Sequence, residues 1–461
     1  MSGISSIFNI GREALITHQQ AVDVTGHNIA NANTPGFSRQ RINLQTNVPA
    51  QTGSGLSGTG VTFTEIQRIS DRFVGGRINS ESQERGRWQA QQEALAQVEA
   101  VFDESAGFGL NSAMSQFWNS WQDLVNNPGG QTEREILAAN TETLASTFGK
   151  LDTNLRKNQT DLDKMIAGTV GEVNQIAARI ADLNDKINQS DASGLNPNDY
   201  RDSRDMLLQD LSGLVDFSSY EGDDGKVTVM LGDGRSLVGS GADGQLTTVT
   251  NVTTGFQDIA WTTDKGTAIN SDITGGKIGG WIEVRDTGIP GYIDDLDELA
   301  AGIISAVNDQ HQLGYDINNQ PGIAYFTGSA AGDIALNPAI AADTNLIAAS
   351  GTAGGAPGDN ANAVTIAGLQ QDRIMNGGMA TFDDFYASLV SSVGIDVKSA
   401  AQTAQFEENL VTQLENYRES VAGVSLDEEM INLVKFQTAY DAAAKLIKTA
   451  DEMISTVLNM L

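Results

Sequence analysis

"NIANANTPGFSRQR", Asn28 to Arg41, decides how this chain is read. Three asparagines, Asn28, Asn31 and Asn33, fall within six residues; Thr34, Pro35, Gly36 and Phe37 follow, then Arg39 and Arg41. Asparagine favours capping and turn conformations, proline fixes φ and cannot extend a helix, and glycine permits positive φ. The run is therefore a strong helix stop. The helix it stops is visible upstream. Ile4, Phe8, Gly11, Leu15, His18, Val22, Thr25 and Ile29 are spaced alternately by four and three, with Phe8, Leu15, Val22 and Ile29 every seventh residue. That is the seam of a coiled coil.

The last forty residues repeat the pattern. Ser425 with Glu428 three residues on reads as a capping box. Leu433, Phe436, Tyr440, Ala443, Ile447, Ala450, Ile454, Val457 and Leu461 then alternate by three and four without a slip. Two such seams bury one stripe each and leave Ile7, Ile16, Leu446 and Met453 outside. An apolar side chain covered by another subunit gains roughly 1.5–3 kcal/mol. Two unbroken seams in one chain favour assembly over packing onto the body as ordinary core helices.

Charge narrows the class. The chain has 461 residues, enough for several domains, with 28 Lys and Arg against 59 Asp and Glu, a net charge of -31 and 6% aromatics. A nucleic-acid binder needs a basic footprint with stacking aromatics, and an acidic surface is repelled by anionic membranes. The exception is residues 1–50, with three basic residues (Arg12, Arg39, Arg41) and two acidic ones (Glu13, Asp23). There is no cysteine, which excludes disulfides and thiolate sites. The start, MSGISSIFNI, lacks the basic and apolar regions of a secretory signal peptide, and no apolar run reaches the length of a membrane span. No nucleic-acid partner and no membrane insertion are expected.

Between the seams lie helices and a strand-rich middle. "QTGSGLSGTG" (51–60) reads as a flexible connector. Helical patterns follow at Trp88 to Phe102, at Phe117 to Leu124, from Thr132 to Ile187 and over 198–217. Val227, Val229 and Leu231, then "GDG" (232–234), then Leu237 and Val238, give a hairpin. "GQLTTVTN" and "FQDIAWTT" add strands, Tyr292 to His311 returns to helix, and 316–354 reads as strands and turns. "GTAGGAPGDNANA" (351–363) reads as a linker. Thr381 with Asp384 opens another helix, running past Tyr417. The expected fold is multidomain and mainly α with a β-rich outer domain. A terminal coiled-coil domain comes from 1–60 with 418–461. A helical-bundle domain comes from 61–215 with 280–315 and 355–417, and a central β domain from 216–279 with 316–354.

No catalytic, metal or cofactor site emerges. His18, His27 and His311 do not match metal spacing. "EGDDG" (221–225), "GDG" (232–234), "GADG" (241–244) and "DINNQPG" (316–322) do not follow the twelve-residue order of a calcium loop and read as turns. There is no nucleophile elbow and no phosphate loop.

"NIANANTPGFSRQ" resembles the signature of bacterial flagellar axial proteins, the rod, hook and hook-associated proteins, and the run from Val424 to Leu461 is similar to their C-terminal signature. "FSRQ" (37–40), "RISDRF" (68–73), "RDSRDMLLQDLS" (201–212), "GGKIGGWIEVRD" (275–286), "IPGYIDDLDELA" (289–300) and "SLDEE" (425–429) point to the hook-associated members at the hook–filament junction. The resemblance implies a structural, non-enzymatic subunit without cofactors that polymerises through its terminal helices. It implies an extracellular place on the flagellum, reached by type III export without a cleaved signal peptide. The implied partners are further copies of itself, the hook protein, a second junction protein (hook-associated protein 3) and a cytoplasmic export chaperone. The N-terminal assembly seam would be Ile4, Phe8, Leu15, Val22 and Ile29. Asn28, Asn31, Thr34, Pro35, Gly36 and Phe37 would form the turn out of the inner tube, with Phe37 in an apolar pocket. The C-terminal assembly and chaperone seam would be Leu433, Phe436, Tyr440, Ile447, Ile454, Leu458 and Leu461. One departure lies at Tyr440-Asp441-Ala442-Ala443, where the family usually has Tyr-Gln-Ala-Asn. The alternative is a secreted, adhesin-like module carried on a helical stalk.

Overall fold

A computed structural model describes residues 2–52, 55–104, 109–239 and 244–459. In sequence order it contains α1 (Ser2–Ala30), β1 (Gln40–Thr46), β2 (Ala50–Thr52), β3 (Gly55–Ser57), β4 (Val61–Arg68), α2 (Arg72–Val101), α3 (Leu110–Asn126), α4 (Gln131–Ala192) and α5 (Asn198–Ser212). Then come β5 (Ser218–Glu221), β6 (Val227–Met230), β7 (Ser236–Val238), β8 (Leu246–Thr250), β9 (Gln257–Trp261), β10 (Asp264–Ala268), α6 (Gly276–Glu283) and α7 (Ile289–His311). The remainder is β11 (Phe326–Thr327), β12 (Ala335–Leu336), α8 (Pro338–Ala342), α9 (Ala361–Gly368), α10 (Phe382–Ala422) and α11 (Leu426–Asn459). Among the described residues no helix is long and apolar enough to cross a membrane. The protein is mainly α and multidomain.

The protein forms two compact units. The first holds Met1–Glu84, Glu172–Gln245 and Glu407–Leu461; the second holds Arg85–Gly171 and Leu246–Phe406. This division differs from the one read in the sequence. The expected β domain does not collect its strands: β5, β6 and β7 fall in the first unit, and β8 to β12 in the second. Each three-stranded sheet is small, and so short a sheet needs a helix to cover its apolar face. In the first unit Asn184 of α4 ties that helix to β6: its amide nitrogen donates to the Val227 carbonyl at 2.8 Å and its oxygen accepts from the Val227 N–H at 2.9 Å. The hairpin around Gly234 (φ +79) pairs β6 with β7 as the alternation predicts.

Two segments expected to be loose are ordered. β2 (residues 50–52) pairs antiparallel with β3 (residues 55–57), apart from the β1–β4 ribbon. The backbone at Gly55 and Gly60 has positive φ, so these glycines shape the turns rather than loosen them. The expected linker 351–363 is tied by Asp359, whose carboxylate accepts from the Ser350 and Thr352 hydroxyls and from the Gly351 and Thr352 amides. Those donors hold its pKa down at about 2. Asn360 next to it donates to the Val125 carbonyl at 2.7 Å.

The core of the second unit is aromatic. Phe117, Trp118 and Trp121 of α3 are fully buried with Tyr325, Phe326 and Phe382. Trp118 stacks on Phe382 at 5.8 Å, and Trp121 meets His311 edge-on at 6.3 Å. His311 is structural: Nδ1 donates to the Ile323 carbonyl at 2.6 Å and Nε2 accepts from the Ala348 N–H at 2.8 Å. The Nε2 bond requires the neutral ring, and burial lowers its pKa from 6.5 to about 4. Above pH 6.5 the neutral ring is free of cost. As pH falls towards 4 the unfolded protein takes up a proton that the folded one refuses. Stability of this unit should drop by about 3 kcal/mol across that window. Urea unfolding at several pH values checks this, and the same slope in His311→Gln would overturn it.

The loop "DINNQPG" is likewise a turn: the Asp316 carboxylate accepts from the Asn318 and Gln320 amides, each at 2.8 Å. In the first unit Asp224 and Asp233 do the same for Lys226 and Arg235. Of "GADG", residues 241–243 lie outside the described residues. No group of three or more His, Asp or Glu set to hold a metal occurs among the described residues.

Candidate functional site

The helix stop folds as a series of local bonds. The Asn31 N–H and side-chain amide both donate to the His27 carbonyl at 3.1 Å, and the Thr34 hydroxyl donates to the Asn31 side chain at 3.1 Å. The Thr34 N–H donates to the Asn31 carbonyl and the Phe37 N–H to the Thr34 carbonyl. Gly36 takes φ +76, and a Cβ there would run into the Met206 side chain, so the turn demands glycine twice over. Thr34 and Pro35 are exposed. Phe37 is half-buried and stands edge-on to His27 at 5.4 Å. Its surroundings are not an apolar pocket. It lines a cleft of about 590 Å³ in which Met206 and Leu207 share the walls with Asp182, Asp199 and Asp210. The exit of α1 sits against the acidic helix α5, and its charges set the cleft's character.

Asn28 is the hub and is almost wholly buried. Its amide nitrogen donates to the Gln40 carbonyl at 2.8 Å and to Glu429 Oε2 at 3.0 Å, and its oxygen accepts from the Gln40 N–H at 3.0 Å. Arg39 closes the ring, reaching Glu429 at 2.7 Å and Glu428 at 2.8 Å. Glu429 is 2% exposed, an unusual place for a carboxylate that is tolerable because it is paired and hydrogen-bonded. Three bonds at one amide thus fasten the end of α1 to the start of β1 and to the first turn of α11. Of the expected capping box at Ser425, one half forms: the Glu428 N–H donates to the Ser425 hydroxyl at 3.5 Å. The Glu428 side chain is drawn to Arg39.

From this clasp α1 and α11 run antiparallel. His18 stacks on Phe436 with centroids 6.4 Å apart, and a Cβ on Gly11 would come within 2.6 Å of Ile447 Cγ1. On α11 the fully buried residues are Glu429, Ala443 and Ala450. Ala443 is thus a packed position on the helix pair. On α1 Thr17, Ala21, Val24 and Asn28 are buried; the Thr17 hydroxyl donates to the Val61 carbonyl of the ribbon at 3.3 Å. The seam residues are less covered. Leu15, Val22, Ile29, Leu433, Phe436 and Ile447 are half-buried, while Phe8, Tyr440, Ile454 and Leu458 are exposed at 40, 38, 37 and 66%. The side chain of Ile4 and the whole of Leu461 lie outside the described residues.

Sequence reading missed Arg39, Gln40 and Glu429 as site residues, and Asp202 with them. The Ser38 N–H donates to Asp202 at 3.0 Å, and Arg68 pairs with Asp202 at 2.7 Å and Asp205 at 2.6 Å. Burial pushes the Asp202 carboxyl up, against the pull of Arg68 and the Ser38 amide. No local signal marks them: in sequence Glu429 is one more acid in the first turn of a helix.

The comparisons with known proteins agree with this geometry. A family model for the flagellar hook-associated protein FlgK helical domain matches residues 95–326. Models for the flagella basal body rod protein and for the C-terminal part of the flagellar basal body rod FlgEFG proteins match 8–37 and 419–460. Those two matches cover α1 with its turn and α11. Flagellar hook-associated protein 1 of Bacillus subtilis (strain 168) is 31% identical over 97% of this chain and 96% of that relative. The chain belongs to the flagellar hook-associated protein 1 family. The Escherichia coli (strain K12) relative is 26% identical over 99% of this chain and all of its own length. A solved structure, the flagellar hook junction protein FlgK from Burkholderia pseudomallei, shares the fold with a TM-score of 0.66 at 17% identity, covering 75% of this chain and all of that one. This protein is a structural flagellar subunit of the hook–filament junction, and membership in the family replaces the stalked-binder alternative.

The motifs that carried the resemblance now have physical work. In "RDSRD" all four charges are paired: Arg201 with Asp191, Asp202 and Asp205 with Arg68, and Arg204 with Glu221. In "RISDRF" the Asp71 carboxylate accepts from the Phe73 and Val74 amides and starts α2. In "GGKIGGWIEVRD" a Cβ on Gly280 would strike the Arg87 carbonyl, and Arg285 is buried against Asp163 and Asp286 at 2.6 Å.

Proposed function

We propose that the protein polymerises through the antiparallel α1–α11 pair, in contact with further copies of itself, the hook protein and hook-associated protein 3. The carrying observation is the incomplete cover of that pair. Ile16 is 48% exposed, and Met430, Ile431 and Val434 are 59, 69 and 61% exposed on one stretch of α11. Apolar side chains left out this way along one helix pair mark an association surface. Neighbouring copies would supply the missing cover. The protein would act by packing alone, without catalysis or cofactor, outside the cell.

The same surface is a hazard before assembly. A cytoplasmic chaperone that covers α11 by helix-in-groove packing, and passage through the flagellar type III channel without a cleaved signal peptide, would resolve it. α1 already lies along the side of α11 that holds Phe436 and Ile447, so a chaperone using those residues must take the place of α1.

Leu15→Asp or Ile447→Asp tests the reading. A carboxylate on the packed seam lacks a partner and should cost several kcal/mol of pairing, while the second unit stays folded. The expected phenotype is a soluble protein that fails to enter the junction, leaving cells without filaments. Normal filament growth in both variants would overturn the proposal.

A further inference from the structure

Asn376-Gly377 is the sole Asn-Gly step in the sequence. It occupies the tip of a tight turn in the second unit. The Gly378 N–H donates to the Met375 carbonyl at 3.1 Å, and Met375 and Ala380 bridge the base of the turn. Both central residues have positive φ, +52 at Asn376 and +65 at Gly377. That conformation suits glycine and is merely tolerated by asparagine.

Three features set this asparagine apart from the structural ones. Asn28 and Asn184 are buried, and their amides are held by hydrogen bonds. Asn376 is exposed. Among the described residues neither its side-chain amide nor the Gly377 N–H has a hydrogen-bond partner. Gly377 has no Cβ to shield its nitrogen, and nothing lies within 4 Å of where a Cβ would be. The turn also forms part of the wall of a cleft of about 560 Å³ beside Glu298, Ser305 and Asp309.

We propose that Asn376 is a site of spontaneous covalent modification, deamidating through its bond to Gly377. The Gly377 nitrogen gives up its proton to solvent base and attacks the carbonyl carbon of the Asn376 amide group. A new bond forms between that nitrogen and that carbon, the bond from the carbon to the amide NH₂ breaks, and ammonia leaves with a proton from solvent. The product is a five-membered succinimide. Water adds to one of its two carbonyls and opens the ring, giving an aspartyl residue or an isoaspartyl linkage. No oxidation is involved, and water is the one co-reactant.

The isoaspartyl product lengthens the backbone by a methylene inside a turn whose ends are bridged. Met375, 4% exposed, sits at the base of that turn, and its sulfur lies 2.7 Å from where a Cβ on Gly302 of α7 would stand. Lengthening the turn should loosen this anchor. The modification adds one negative charge to a protein already at -31 and would accumulate with the age of the molecule.

The test is incubation of the full-length protein at neutral and mildly alkaline pH, followed by mapping of the peptide that contains 374–380 and by measurement of released ammonia. Conversion at 376 should exceed that at every other asparagine and rise with pH. Asn376→Asp, whose side chain also tolerates the left-handed turn, should lose the ammonia released from this site. Gly377→Ala should slow conversion by shielding the nitrogen. If position 376 stays an amide in the folded protein while the urea-unfolded protein converts, the turn protects it and the proposal fails. Conversion led by another asparagine would overturn it equally.

Discussion

Asn28→Ala is expected to cost the first unit about 3 kcal/mol. The change leaves both the Gln40 N–H and the Gln40 carbonyl without their side-chain partner and takes a donor from Glu429. A buried polar group stripped of its partner costs about 1–3 kcal/mol, and water cannot easily replace an amide that is 1% exposed. Glu429→Gln is the milder companion: an acceptor for Asn28 remains, and Arg39 keeps Glu428. Hydrogen exchange over 426–459 is the direct readout, because α11 is held at its first turn by these bonds. The variant should exchange there much faster than the parent. Unchanged protection of α11 and an unchanged urea midpoint would show that helix packing alone fixes the pair.

Arg204→Met should be comparably severe, at about 3 kcal/mol. Arg204 is 2% exposed and donates to Glu221 at 3.0 Å, to the Gly225 carbonyl at 2.6 Å and to Asn184 at 3.1 Å. Removing it leaves Glu221 with Arg72 alone and Asn184 with the Val227 N–H alone, and takes from the Gly225 carbonyl its donor at 2.6 Å. Arg204→Lys keeps the charge but not the planar fork that reaches three acceptors, so it should recover part of the loss. Arg204→Met with Glu221→Leu should also recover part, since it removes a half-buried carboxylate that would be left with the exposed Arg72 alone. A double variant no better than the single one would show that Asn184 and Gly225 dominate.

Much of the helical frame is legible in the sequence because its periodicity is local. The seams, the long helix α4, and the capping box at Thr381 all rest on residues within a few positions of each other. Thr381 and Asp384 do exchange hydrogen bonds at 3.1 and 3.3 Å. The hairpin at Gly234 is legible for the same reason. The segments whose order escapes sequence reading are rich in glycine: 51–60 and 351–363 look flexible by composition, yet strand pairing and positive-φ glycines shape 55–60, and a single aspartate with four donors fixes 351–363. Composition records the freedom of the unfolded polypeptide, not the bonds that remove it. The grouping of strands fails because domain membership depends on contacts between distant residues. The turn residues are identifiable from their types, but the role of Asn28 is not. Its partner Glu429 reads in sequence as one more acid in a helix's first turn, where the dipole favours it, and nothing local shows that it is buried.

Asn28 and Glu429 are 401 positions apart. Contacts of such separation form late, because the intervening polypeptide must be closed before they repay its entropy. The clasp therefore sets an order of events in folding. α1, the ribbon and the second unit can form from nearer contacts, while the terminal pair must wait until α11 is present and brought back to the turn. A freshly made or freshly unfolded molecule should pass through a stage in which the second unit is structured and both seams are bare. In refolding experiments the last phase should carry the protection of α1 and α11 together, and it should slow when the clasp is weakened.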